Sequence, residues 1–134
     1  MIVSAGDNRD SADVYSPSSA ELAYTVAASD IRDNYANFAN YGPEVNLVAP
    51  GVEVESTWFL HGSPEEGDRD IRVMSGSAQA TATVCGLAAY FRSINIGTES
   101  PKALYDVLDM YSIDGLVNQV KNGSPNKLAQ NNFE

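Results

Sequence analysis

The stretch between Arg72 and Arg92 constrains the fold of this chain more than any other, because it contains no charged side chain. It is too short, and too rich in Ser, Thr and Gly, to span a membrane. Alanine dominates it, and larger apolar residues recur with helical spacing at Val84, Leu87 and Phe91. The pattern predicts a buried central helix whose small residues allow close packing on every face.

The residues at the start of this helix are suited to holding an anion. Gly76 and Ser77 allow a tight entry turn, and the unpaired N–H groups of the first turn would then face whatever lies in front of Ala78. Cys85 is the only cysteine, so no internal disulfide is possible. Because it lies within the apolar helix, we expect a packed, unreactive thiol.

Composition limits the partners that this chain can have. The 134 residues are 43% hydrophobic, which suits one globular unit or part of one. A formal net charge of −10 argues against nucleic acid as a partner, because phosphates require a basic face. The sequence contains no secretory apolar segment and no transmembrane run, so we expect no membrane partner.

Residues 76–86 read G-S-A-Q-A-T-A-T-V-C-G. This segment resembles the G-T-S-M-A-x-P-H-V-A-G motif of subtilisin-like serine proteases, which opens the central buried helix of that family, and the two align without a gap. Three positions differ. Ala78 stands where the family has its nucleophilic serine, Thr83 where it has histidine, and Ala82 where it usually has proline.

The first residues, I-V-S-A-G, suit a buried strand that runs into a loop. They resemble the V-x-A-A-G-N strand of the family, which forms one wall of the primary specificity pocket. The resemblance implies substrate contacts from the strand end and the helix entry turn: Ser4, Ala5, Gly6, Gly76 and Ser77. Because the chain opens in mid-sheet, we expect upstream sequence to be missing or to lie in another chain.

The family strand ends in the asparagine of the oxyanion hole, and Asp7 falls at that position. A carboxylate has no N–H to donate and repels a developing oxyanion, so this substitution works against hydrolysis. A shift of one residue would place Asn8 at the same position instead.

Four further segments match the family in one register, which argues against coincidence. Residues 24–30 predict a strand and resemble T-V-G-A-S/T-D; residues 35–42 resemble S-x-F-S-N-Y/W-G; residues 46–51 resemble D-I-x-A-P-G. The turn at residues 15–17 lies in a polar surface loop. The resemblance implies a cis proline there, whereas the residues alone suit an ordinary turn.

Some members of the family bind calcium through backbone carbonyls and the aspartate that opens D-I-x-A-P-G. Asn46 replaces that aspartate here, and Glu21 and Ala23 fall at the carbonyl positions. A neutral amide still offers an oxygen but brings no charge, so the resemblance implies a weak calcium site at most. No other cofactor is expected.

The middle of the chain predicts two strands joined by a polar loop. Residues 52–58 alternate apolar and polar side chains, which is typical of a half-exposed strand, and residues 71–74 predict a second strand. The loop at residues 59–70 contains His61, the only histidine. The family's catalytic base comes from upstream of the matched region, so we interpret His61 as a solvated loop residue.

The C-terminal residues predict a surface helix, followed by a last segment that resembles the end of the family's catalytic domain. Ser100 and Pro101 suit a helix start, and an apolar face continues to about Tyr111, with Asp106 and Asp109 on the solvated side. Residues 122–132 resemble the G-T-P-N-x-L-A-x-N segment that closes the family's catalytic domain, so we expect the C-terminal end of that domain here.

The combined prediction is an α/β fold of the subtilisin type, with a parallel sheet flanked by helices around a central helix. Residues 1–134 are expected to form only the C-terminal part of a peptidase S8 catalytic domain, most similar to the proteinase K-like, fungal-type branch. The resemblance implies secretion and peptide or protein substrates. It also implies a structural partner, either the N-terminal half of the same domain or a homologous chain.

Peptide hydrolysis by this route needs a hydroxyl, a histidine, an aspartate and donors for the oxyanion. The nucleophile position is Ala78, and the resemblance places the histidine and aspartate upstream, so the chain as it stands is predicted to be inactive. One interpretation is a silenced protease, and another is a non-catalytic module that binds a peptide or pairs with an active partner. A third is an unrelated phosphate-binding protein using the Gly76 turn, which the lack of a following lysine disfavours.

Overall fold

The computed structural model of the protein describes residues 1–58, 71–97 and 99–131. The predicted loop that carries His61 lies outside the described residues. A single-turn 3₁₀ helix at Ala12–Val14 follows the first strand, and the Ser16–Pro17 peptide bond is cis, as the family resemblance implied. The strands and helices, in chain order, are β1 (Ile2–Ser4), β2 (Tyr24–Ser29), β3 (Val45–Pro50), β4 (Val54–Thr57), β5 (Ile71–Met74), α1 (Ser77–Ser93), α2 (Pro101–Met110), β6 (Ile113–Asp114) and β7 (Lys127–Leu128).

Five of these strands form one sheet, in the order β1-β2-β3-β7-β6. The first four strands in that order are parallel to one another, and β6 at the end runs antiparallel to β7. Every residue of β2 is buried, which accounts for its run of apolar and small side chains. The predicted α/β fold with a parallel sheet is therefore confirmed, and β1 lies at one edge of the sheet.

Helix α1 packs against β1, β2 and β3 through one face. The buried residues of this face recur every three or four positions, as a helix requires: Ser77, Ala80, Val84, Ala88 and Phe91. Gly51, which follows β3, lets the helix approach closely, because a Cβ built on it would lie 2.8 Å from Ala28 Cβ and 2.9 Å from Ala80 Cβ. The small residues of this region thus hold the start of α1 tight against the sheet.

The prediction that α1 is packed on every face is wrong for this chain. Its opposite face is exposed at Ala82, Thr83, Gly86 and Ala89. The thiol of Cys85 is exposed as well, so the prediction of a packed cysteine is also wrong. The physical reason is that, within the described ranges and apart from the helix's own backbone and the two neighbouring residues, no atom lies within 4 Å of a Cβ built on Gly86, so no other element covers this side of the helix.

Helix α2 begins as predicted. The Ser100 hydroxyl accepts a hydrogen bond from the Ala103 backbone N–H at 3.1 Å, and Pro101 occupies the first turn. Leu104 and Leu108 are buried against the core. Neither α1 nor α2 combines the length and apolar character that crossing a bilayer needs, and the same holds throughout the described part of the chain.

The two aspartates of α2 differ in their surroundings. Asp106 is exposed and pairs with Lys102 at 2.7 Å, as expected for a solvated side. Asp109 instead accepts a hydrogen bond from the hydroxyl of buried Tyr24 at 2.7 Å, so its predicted role as a purely solvated residue is wrong. The sequence could not reveal this bond, because the two residues lie 85 positions apart.

Strands β4 and β5 form a separate antiparallel hairpin, which confirms both predicted strands. Three of the four β4 residues and all four β5 residues are exposed. The hairpin ends immediately before the entry turn of α1, so one of its faces lies beside that turn.

Two buried tyrosines make the stability of this fold sensitive to alkali. Burial raises the pKa of Tyr35 from 10.0 to about 12, against a small opposing effect of its hydrogen bond with Ser124. Burial and then the hydrogen bond to Asp109 raise the pKa of Tyr24 as well. Since the folded state favours the protonated phenols, this stability is complete below pH 10 and is lost as the pH rises beyond it.

We therefore expect the free energy of unfolding to fall by about 2 kcal/mol between pH 10 and 12 from Tyr35 alone. Urea unfolding followed by circular dichroism at several pH values would measure this slope. Tyr35→Phe lowers the stability at neutral pH but should flatten the alkaline slope. An unchanged slope in that variant would contradict the assignment.

Candidate functional site

The first turn of α1 lies at the carboxyl ends of β1 and β3. The backbone N–H of Gly76 donates to the carbonyl of Gly51, after β3, at 2.8 Å. The Ser77 hydroxyl donates to the carbonyl of Gly6, after β1, at 3.2 Å. These bonds bury Gly76 and Ser77 and leave Ala78 on the exposed side of the turn. A methyl group therefore faces solvent at the position where the motif has its serine.

Asp7 reaches the same turn from the loop after β1. One oxygen of its carboxylate accepts a hydrogen bond from the Ser77 backbone N–H at 2.9 Å. An ionised carboxylate at a helix N-terminus is favoured by the helix dipole and by the unpaired N–H groups. The carboxylate of Asp7 thus occupies part of the predicted anion-stabilising position at the start of α1.

Asn8 takes a different direction. Its backbone N–H donates to the side-chain oxygen of Asn40 at 2.8 Å. Of the two residues considered for the oxyanion position, Asp7 is the one that bonds to the first turn of α1.

Asn40 holds the loop after β1 in place through bonds that sequence reasoning missed. Its side chain is fully buried; Oδ1 accepts from the backbone N–H groups of Asn8 and Asp10 at 2.8 and 3.2 Å, and Nδ2 donates to the Ala5 carbonyl at 2.9 Å. Its own backbone N–H donates to the Gly6 carbonyl at 2.8 Å. The F-A-N-Y-G segment contains Asn40. However, the sequence alone does not reveal a hydrogen bond between residues 32 positions apart, such as the one from Asn8 to Asn40.

The residues predicted to contact substrate at the end of β1 are adjacent to this turn. Ala5 is fully buried, and the Ser4 hydroxyl accepts a hydrogen bond from the Gly6 backbone N–H at 3.1 Å. Gly6 has φ of +94°, and a Cβ there would lie 2.6 Å from Nδ2 of Asn40, so glycine is required. Their contact with substrate stays a prediction.

The three residues implied in calcium binding also lie together. Glu21, Ala23 and Asn46 line one cavity of about 170 Å³. However, the Asn46 side-chain oxygen accepts a hydrogen bond from the Thr25 backbone N–H at 2.7 Å. Within the described ranges, no group of three or more His, Cys, Asp and Glu side chains could hold a metal. A neutral oxygen that already accepts a hydrogen bond contributes less to calcium binding than the aspartate of the family would, and the site has no part in the chemistry proposed below.

Comparison with known proteins identifies the family that this chain matches. The sequence model of the subtilase family, Peptidase S8, matches residues 1–127. The chain is 35% identical to a cuticle-degrading serine protease of Arthrobotrys oligospora and 40% identical to subtilisin-like protease 2 of Pseudogymnoascus destructans. These alignments cover 99% and 98% of this chain and 31% of each relative. Proteinase R of Parengyodontium album is 36% identical, over 100% of this chain and 32% of its own length.

Solved structures agree with the sequence comparison. A cold-adapted subtilisin-like serine proteinase superposes with a TM-score of 0.86 at 27% identity, covering 98% of this chain and 44% of that one. A protease of Pseudoalteromonas arctica, at 20% identity and a TM-score of 0.82, supports the fold alone over 96% of this chain and 39% of that one. The chain spans about a third of the length of the curated relatives that it matches. With a family match over nearly all of its residues, this chain belongs to the subtilase family of serine peptidases.

Proposed function

We propose that this chain is the C-terminal part of a subtilase catalytic domain in which peptide hydrolysis has been silenced. The observation that carries the proposal is Ala78, a methyl group on the exposed side of the α1 entry turn. Acyl transfer requires a nucleophile at that point, and alanine has none.

The surroundings of Ala78 support loss of activity beyond the missing hydroxyl. The Asp7 carboxylate is bonded to the Ser77 N–H at 2.9 Å, so a negative charge lies beside the position where negative charge would develop during acyl transfer. Two separate features of the site, at Ala78 and at Asp7, therefore oppose hydrolysis. A change confined to the nucleophile would have left the oxyanion position unaltered.

The exposed face of α1, opposite the sheet, supports the proposal that a structural partner covers it. That partner would be the preceding part of the same kind of domain. The matching solved proteinase extends well beyond the matched region, which covers 44% of its chain. On this chain the exposed positions Cys85, Gly86 and Ala89 are all small, which suits close approach of another protein segment. We assign the peptide or protein ligand to the resulting cleft in front of Ala78.

A chimera tests the proposal directly. The portion of Proteinase R that precedes its matched region would be joined to this chain, carrying either Ala78, Ala78→Ser, or Ala78→Ser with Asp7→Asn. We expect no turnover of a peptide ester with Ala78, slow turnover with Ala78→Ser, and faster turnover with both changes, because a donor then replaces a charge.

The matched control is Ala82→Ser, which adds a hydroxyl to the exposed face one turn further along α1 and should give no turnover. Turnover by the chimera that retains Ala78 would overturn the proposal.

A second candidate function is a non-catalytic binding module. Two observations favour it: Asp7 already occupies a backbone donor of the entry turn, and β1 lies at an open sheet edge where an extended peptide could add a strand. Peptide binding by the doubly substituted chimera without any hydrolysis would favour the module. If the doubly substituted chimera neither bound nor hydrolysed the peptide, that result would count against both functions.

A further inference from the structure

The β4–β5 hairpin presents one face to the entry turn of α1. Val54 pairs with Met74 and Ser56 with Arg72, and because side chains alternate along a strand these four share one face. Together with Trp58, which follows β4, they form one wall of a cavity of about 250 Å³. The cavity therefore has both apolar and polar groups on its hairpin side.

Helix α1 forms the other wall, through Ala78, Gln79 and Ala82. The cavity thus opens beside the methyl group that stands at the nucleophile position. Its volume lies just below the range of roughly 300 to 1,000 Å³ that is usual for drug-sized ligands. It suits a single large side chain of a peptide rather than a separate small molecule.

The charge of this cavity is unusual for such an acidic chain. The 18 acidic residues of the chain outnumber its 8 Lys and Arg residues, yet among the described residues Arg72 has no ionic partner. In the part of the chain that the structure describes, the ion pairs join Lys102 to Asp106 and Lys127 to Asp109. None of the described residues that line the cavity carries a carboxylate, so the guanidinium favours an anionic guest.

Trp58 holds that guanidinium in place. The Arg72 Cζ atom lies 4.7 Å from the centroid of the Trp58 ring, which is within cation–π distance. A guanidinium that contacts an aromatic ring through its flat face keeps its in-plane N–H groups for a carboxylate, which can accept two of them at once. The indole therefore orders the arginine while leaving its donors available.

Two neighbouring groups add to this preference, and one opposes it. The cavity lies beside the N-terminus of α1, whose dipole favours negative charge, and the Gln79 amide can donate a hydrogen bond. The Asp7 carboxylate is nearby and opposes an anion. However, it is bonded to the Ser77 N–H at 2.9 Å and does not line the cavity.

We propose that this cavity binds the side-chain carboxylate of an aspartate or glutamate in a peptide held in front of Ala78. Arg72 donates to both carboxylate oxygens, while Trp58 and Met74 contact the methylene groups of the guest. The inference rests on the proposed binding of peptides, and it adds a preference for acidic sequences that the family assignment does not supply.

Paired peptides test the preference. Fluorescein-labelled octapeptides of alanine and serine would carry one glutamate or one glutamine, moved position by position. Binding to the chimera that retains Ala78, and to its variants, would be measured by fluorescence anisotropy. We expect one position where glutamate binds roughly tenfold more tightly than glutamine, as a charge-assisted bidentate contact allows. Arg72→Gln should abolish that difference, chiefly by weakening the binding of the glutamate peptide.

Three variants separate this result from a general effect of charge or folding. Arg92→Gln removes the same charge at the far end of α1 and should keep the preference, and Arg72→Lys should retain part of it. If Arg72→Gln fails to fold, Trp58→Leu tests the site by releasing the guanidinium. Peptide binding without a glutamate preference, or a preference that survives Arg72→Gln, would overturn this inference alone. Failure to bind any of the peptides would overturn the proposed binding of peptides itself.

Discussion

Gly51→Ala is expected to lower the free energy of unfolding by about 3 kcal/mol, at the upper end of the range for overpacked substitutions. The new methyl group would lie 2.7 Å from the Gly76 carbonyl oxygen, 2.8 Å from Ala28 Cβ and 2.9 Å from Ala80 Cβ. All three neighbours are backbone or Cβ atoms, so no side chain can rotate away. The start of α1 must instead move off the sheet and weaken the Gly76 to Gly51 hydrogen bond.

Urea unfolding followed by circular dichroism measures the effect. Gly86→Ala is the matched control, because the same methyl group on the exposed face of α1 meets no described atom of any other element within 4 Å. Since alanine is favoured over glycine inside a helix, that variant should gain about 0.5 to 1 kcal/mol. Equal losses in the two variants would show that crowding at Gly51 is not the cause.

Asn40→Ala should cost about 3 to 4 kcal/mol, because one buried side chain satisfies three backbone groups. Removing it leaves the Ala5 carbonyl unpaired in the interior and frees the N–H groups of Asn8 and Asp10. The loop after β1 should then open, which amide hydrogen exchange at residues 7–10 would report. Because this loop carries Asp7, its contact with Ser77 should weaken as well.

Asn37→Ala is the control for this experiment, since Asn37 lies on the same loop as Asn40 but is exposed. It should stay within about 0.5 kcal/mol of the parent chain, as is usual for surface substitutions. Unchanged hydrogen exchange at residues 7–10 in Asn40→Ala would contradict the role assigned to the buried amide.

Local patterns in the sequence were sufficient to predict much of the fold. The apolar run at Ile2 and Val3, the β-branched centre of β2 and the N-cap at Ser100 each predict an element that the structure contains. These signals depend on neighbours within a few residues, so a single sequence carries them. The register of the family motifs then identified the entry turn of α1 and placed Ala78 on it.

Features that depend on distant residues could not be predicted in the same way. Helix α1 has small residues on every face, so its composition did not reveal which face meets the sheet and which stays bare. The bond from Tyr24 to Asp109 and the network of Asn40 join residues far apart in the sequence. The approach of Arg72 to Trp58 likewise requires the hairpin register, which alternation alone does not fix.

The bond between Asp7 and the Ser77 N–H has a consequence for how such a chain evolves. The carboxylate that we propose to oppose hydrolysis also accepts a hydrogen bond from the first turn of the central helix, so under this proposal one side chain both hinders the chemistry and supports the fold. Under the proposed function, a lineage that regained a serine at position 78 would hydrolyse peptides only slowly until Asp7 was also replaced. Selection for folding would favour keeping Asp7, because its carboxylate supports the start of α1.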